Sequence, residues 1–172
     1  MPTYLLTWNP DGSSVRDMVP EWRRLCSGRK PRPVDWSCGS NTSIEPGARV
    51  FLHRQRREPR GIEASGITVS ASYRGPHWDD EKRKAGKKAN FVDWIIDAAV
   101  DGFGDNDNLK PLAAHLVPSG PIHDLISWDN MPGSGTVVPP EAAADLERRW
   151  AMHLGRTGDF DVQVEMLSAR EG

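Results

Sequence analysis

The stretch that decides the fold reads "VDWSCGSNTSIEPGARVFLHRQ" (Val34–Gln55). Its order is unusual. A large apolar side chain, Trp36, stands at a strand-to-loop junction, small polar residues follow it, and only then does a hydrophobic strand begin. "EPG" (Glu45–Gly47) supplies a turn. "RVFLHR" (Arg49–Arg54) reads as that strand, and "RQRREPR" (Arg54–Arg60) as an exposed basic turn after it.

Working outward, "TYLLTW" (Thr3–Trp8) reads as a first strand ending in the turn "NPDG". Val15, Met18, Val19, Trp22 and Leu25 fall at helical spacing, with Ser13 or Ser14 available as a cap and Pro20 favouring a late start or a kink. "SGRKPRP" is a basic loop, and Val34–Trp36 a short strand. In "GIEASGITVSASY" (Gly61–Tyr73) the apolar parity shifts at Ser65-Gly66, which predicts a bulge or sharp bend. "RGPHWDDEKRKAGKKA" reads as a hydrophilic loop. "FVDWIIDAAV" (Phe91–Val100) is rich in β-branched and aromatic residues and reads as a strand. Leu109–Leu116 suits a short helix or turn, and "SWDNMPGSGTVVPP" a loop. "PPEAAADLERRWAMHLG" is the clearest helix, with Ala143, Leu146, Trp150 and Leu154 on one face and Gly155 as its stop. "DFDVQVEML" alternates Phe160, Val162, Val164 and Met166 as a last strand. Short strands with strong bends, and a helix near each end, predict a small curved sheet closed into a partial barrel.

The chain of 172 residues fits one domain, expected over 1–172 with a compact core from about 3 to 155 and a C-terminal strand or tail over 156–172. With 22 basic against 24 acidic residues, overall charge predicts no particular partner. No stretch is long and apolar enough to span a bilayer, and "MPTYLLTWNP" lacks the basic and apolar regions of a signal peptide. Two cysteines, Cys26 and Cys38, form no disulfide framework, so a reducing cytoplasm is the expected location.

The residues argue for a binding module rather than an enzyme. The five histidines are scattered, no CxxC or phosphate-binding glycine loop occurs, and no metal or cofactor is expected. "HWDDEK" (His77–Lys82) is the one acidic cluster suited to a divalent metal, which leaves a metal-dependent nuclease on Asp79, Asp80 and Glu81 as the weaker alternative. Flat bases, by contrast, are held by aromatic faces and by hydrogen bonds to their edges. Seven tryptophans against two tyrosines is a skewed balance. Trp22, Trp94 and Trp150 sit on apolar stripes and read as core. Trp36 is followed by Ser37, Cys38 and Gly39, small enough for a ligand to approach the backbone. Trp8 and Asn9 end the first strand, and Asn carries both a donor and an acceptor. Ser134-Gly135-Thr136 is a second small polar loop, and Trp78 and Trp128 lie in polar loops. Arg54, Arg56, Arg57 and Arg60 form one candidate phosphate-contacting rim. A second contains Lys30 and Arg32, with Arg24 and Arg29; a third runs from Lys82 to Lys88.

"YLLTWNP", "WSCGSNTSIEPGARVFLHRQ", "EPRGIEASGITVSASYRGPHWDD", "FVDWIIDAAVD" and "SGTVVPPEAAADLERRW" together resemble, in order, the EVE domain of the PUA-like superfamily. The likeness is greatest to EVE domains that accompany HNH nucleases in modification-dependent restriction enzymes. YTH domains, readers of N6-methyladenine in RNA, are relatives. The resemblance implies an α+β fold: a PUA-like, strongly bent mixed sheet or pseudo-β-barrel with flanking helices. It implies a base pocket at Trp36, Ser37, Cys38, Trp8, Asn9, Ser134, Gly135 and Thr136, with Trp78 or Trp128 as a second aromatic wall. It also implies double-stranded DNA carrying a modified cytosine (5-methyl or 5-hydroxymethyl) as partner, the base being flipped into the pocket, and a nuclease, if any, on a separate partner. RNA is the alternative ligand.

Overall fold

The computed structural model describes residues 1–104, 108–131 and 133–157. The expected strand from Phe160 to Met166 lies outside the described residues. Seven strands form one mixed sheet: β1 (Thr3–Trp8), β2 (Val34–Ser37), β3 (Arg49–Arg54), β4 (Gly61–Thr68), β5 (Tyr73–Pro76), β6 (Lys88–Ala99) and β7 (Thr136–Val138). Their order is β2-β6-β4-β3-β1-β7, with β5 also on β6. Four α-helices accompany them among the described residues: α1 (Val19–Cys26), α2 (Asp80–Lys84), α3 (Pro121–Asp124) and α4 (Pro140–Thr157). This is the PUA-like α+β architecture, a curled half-barrel.

β1 and β3 run parallel, Thr3 opposite Arg49 through Trp8 opposite Arg54. A parallel pair needs a long crossover, and the chain carries α1 and β2 in it. The long strand β6 is the spine of the curl. Its C-terminal half pairs with β4, its start pairs with β5, and its other edge takes β2. The parity shift at Ser65-Gly66 is real: the β4–β6 register slips there. A second slip, between Leu52 and His53, bends β3 against β4. A Cβ on Gly66 would stand 2.2 Å from the Ile95 carbonyl oxygen and 2.5 Å from the Trp94 ring. Glycine is what allows β6 to lie so close at the bend.

Strand alternation sorts the core into two clusters. Tyr4, Leu6, Trp8, Val50, Leu52, Val92, Trp94 and Ile96 pack on one face, with Met18, Trp22 and Trp36 against them. Leu5, Phe51, Ile62 and Ala98 face the other way, onto Ile122 of α3 and Ala142, Leu146, Trp150 and Leu154 of α4. A polar network pins α4 down. Trp150 Nε1–H donates to Ser65 Oγ, Ser65 donates to Asp97, and Arg49 bridges Asp97 to Glu147 of the helix.

Several local expectations change. Gly155 does not stop α4, which runs on to Thr157. The local cost of one glycine, about 1 kcal/mol, is offset because Trp150 and Leu154 are buried on the sheet. The hydrophilic segment after Tyr73 is not a plain loop. It forms β5, held on β6, and α2, whose N-terminus is capped by the Asp79 side chain accepting from Lys82 N–H. The segment around Ser134 contains β7, added to β1 as a three-residue edge strand. α1 starts late, at Val19, with Pro20 in its first turn.

His53 is fully buried against Trp128, ring centroids 5.0 Å apart. Burial, and then the charges of His115 and Arg60, push its pKa down to about 3. A depressed imidazole contributes stability that is complete above pH 6.5 and is lost as pH falls toward 3. Unfolding free energies from urea titrations across that window should therefore fall by about 1.4 kcal/mol per pH unit from this group alone. In His53→Leu that part of the slope should vanish.

Candidate nucleic-acid interface

β1 and β2 are separated by three strands in sheet order, yet they meet across the open side of the curl. Trp36 Nε1–H donates to the Thr7 carbonyl at 3.0 Å. Ser134 Oγ donates to the Ser37 carbonyl at 2.6 Å and accepts from Thr7 N–H at 3.0 Å. One hydroxyl and one indole thus fasten the end of β1 to β2. The two small loops cross here. A Cβ on Gly39 would lie 2.5 Å from Ser134 O, and one on Gly135 2.3 Å from Cys38 O. Both glycines also have positive φ, which side chains disfavour. Asn41 Nδ2 closes the crossing on Gly135 O at 2.8 Å.

Beside this seam opens a cavity of about 510 Å³. Trp36 and Phe91 form part of one wall, Trp78 stands at the edge, and Asn9, Ser13, Ser14, Gln55 and Ser134 supply polar groups. Trp36 is half-buried, packed against the core with the rest of its ring free to line the space. Trp78 is 48% exposed, in the segment between β5 and α2, and its ring lies 5.1 Å from that of His77. The volume falls within the range of small-molecule sites.

The expected pocket residues divide. Trp36, Ser37, Asn9, Ser134 and Trp78 line the cavity. Cys38 is wholly buried, its thiol donating to Asn41 O, and burial pushes its pKa up. Gly135 is buried in the loop crossing, and Thr136 Oγ1 donates to Gly133 O. Trp8 is buried, with Nε1–H on Ser13 O at 3.0 Å. Its ring supports the strand end rather than the cavity wall. Trp128 lies in the opposite cluster, with Nε1–H on Ile122 O, and does not reach the cavity. Asn9 Oδ1 accepts from Asp11 N–H, which shapes the turn after β1.

The expected basic rim is largely engaged. Arg54 is buried with its guanidinium 5.1 Å from the Trp8 ring, near Glu63, whose carboxyl burial pushes up to about 8. Arg57 pairs with Asp11, Arg60 with Asp129, and Arg32 with Glu21. Arg56 and Lys30 are exposed. Of the acidic trio, Asp79 caps α2 and Asp80 pairs with Arg83. Among the described residues no group of three metal-ligating side chains occurs, and no helix is long and apolar enough to cross a membrane. Sequence reasoning missed Gln55, Phe91, Ser14 and Arg16 as cavity residues. Gln55 follows a strand end and Arg16 follows a serine pair, but neither position signals a wall until the curl is known.

No protein-family model and no curated protein matches the chain. Solved structures do. The human THYN1 protein in complex with DNA containing 5-methylcytosine is 15% identical, with a TM-score of 0.54, over 85% of this chain and 95% of that one. A Pseudomonas putida protein is 17% identical (TM-score 0.52; 86% and 98% covered), and a Pseudomonas syringae protein 18% identical (TM-score 0.52; 86% and 99% covered). At such identities the likeness is one of fold: the chain shares the PUA-like architecture over nearly the whole length of these proteins.

Proposed function

We propose that this chain is an EVE-type reader of a modified base in DNA, a modified cytosine, held everted in the cavity beside Trp36. The observation that carries the reading is the half-buried indole of Trp36, locked by its bond to Thr7 O and facing a cavity with a second, exposed tryptophan at its edge. The fold is shared with a protein solved on 5-methylcytosine DNA, which supports DNA as the ligand. The motif likeness to EVE domains that accompany HNH nucleases supports a module that recognises and leaves any cutting to a separate partner.

Energetics set what the site has to supply. Everting a base costs a few kcal/mol, and one aromatic stack returns about 1–3 kcal/mol. Trp36 and Trp78 on two sides, with Asn9, Ser14 or Gln55 on the edge of the base, more than balance that cost. Phosphate contacts supply the remaining affinity, so binding weakens with salt.

Titrating duplexes that differ only in one cytosine (plain, 5-methyl, 5-hydroxymethyl), beside matched RNA, tests the reading. Wild type should prefer one modified duplex. Trp36→Ala should lose about tenfold or more in affinity for it while remaining folded. A folded Trp36→Ala that binds as well as wild type overturns the assignment, and tighter binding to RNA replaces DNA as ligand.

Trp78→Ala separates site from scaffold. Its thermal midpoint should stay near wild type, since an exposed side chain contributes within about 0.5 kcal/mol, while affinity for the modified duplex drops. Ser134→Ala should do the reverse in part. It removes both seam hydrogen bonds of that hydroxyl, costs about 1–3 kcal/mol by denaturant unfolding, and weakens binding through a loosened pocket.

A further inference from the structure

A second, more open depression of about 390 Å³ lies beside the base cavity, and the two share Ser13, Ser14 and Arg16 as a common wall. Pro10, Val19 and Pro20 contribute apolar surface to its lining, and two arginines, Arg16 and Arg23, line it as well. Both arginines are exposed. Of the rim expected from sequence, Arg32, Arg54, Arg57 and Arg60 are ion-paired or buried, while Arg56 and Lys30 are exposed but line neither cavity. Arg16 and Arg23 differ: among the described residues neither side chain makes an ion pair or a hydrogen bond. Even Arg24, next along α1, is drawn to Glu21.

Two uncommitted arginines beside prolines and a valine in an open depression suit a flexible anionic ligand with an apolar part. A nucleotide backbone has that chemistry: the phosphate takes the paired N–H groups of arginine, and the sugar lies on proline and valine. The shared wall fixes which nucleotide it is. We propose that this depression holds the backbone of the nucleotide directly flanking the everted base, with Arg16 and Arg23 on its phosphate. This rests on the first cavity being the base pocket. The strand then passes from the pocket over Ser13 and Ser14 onto the start of α1, away from the Arg54–Arg60 turn.

The test uses the full chain and duplexes with one modified cytosine, in which a single phosphate at a time is replaced by an uncharged methylphosphonate. Binding is followed by fluorescence anisotropy at several salt concentrations. For wild type, neutralising one linkage next to the modified base should weaken binding about threefold to tenfold. In Arg23→Gln the same linkage should have no effect. The slope of log affinity against log salt should be shallower by about 0.9, and the ratio of modified to plain DNA should be unchanged. Arg23→Lys should restore the slope. An Arg23→Gln protein that keeps the wild-type slope and stays sensitive to every linkage overturns the proposal. A wild type with no modification preference, whose salt slope still falls in Arg23→Gln, overturns the base reading and leaves the backbone track standing. A wild type that binds no DNA overturns both.

Discussion

The seam between β1 and β2 is the constraint on which the rest depends. A seven-stranded sheet left open would present two edges and no pocket. Here the bends at Ser65-Gly66 and Leu52-His53 curl the sheet until strands four places apart face each other. They are then joined by side chains instead of a ladder: Ser134 serves Thr7 and Ser37 at once, and Trp36 takes the Thr7 carbonyl. Backbone groups that pairing leaves free are thereby satisfied by side chains, which the general demand for hydrogen bonding requires. The cavity is the space that this closure leaves over.

The same closure changes what the small residues after Trp36 are for. Ser37, Cys38 and Gly39 read from sequence as a place where a ligand meets bare backbone. In the structure the close approach is by another loop. Gly39 and Gly135 are small because Ser134 and Cys38 pass within van der Waals contact of them. Ser37 and Gly39 still line the cavity, but much of its polar lining comes from the turn after β1, Gln55 and Ser134.

Much of the sheet was legible because its signals are local. Alternation and β-branched content placed β3 and β6, and one glycine with a parity shift placed the bend in β4. The candidate site was legible only in part. Trp36 and Asn9 stood out by residue type and position, and both line the cavity. Trp128 and Trp8 carried the same signal and went elsewhere, because a tryptophan in a polar loop can be buried by a distant element. Trp128 found α3 and His53; Trp8 found Arg54. The basic run from Arg54 to Arg60 reads as a rim for a similar reason. Its neutralising partners, Asp11 and Asp129, are remote in sequence and arrive only with the fold.

The bond from Trp36 Nε1 to Thr7 O has one more consequence. An indole has a single donor, and here it is engaged within the protein. What remains for a guest is the flat face of the ring, which attracts every nucleobase in much the same way. The tryptophan can therefore hold but cannot choose. In the proposed reader, choice between cytosine and its derivatives would fall to the side chains around it that still have hydrogens or lone pairs to offer, and swapping those, rather than the ring, would be the route to retuning the pocket.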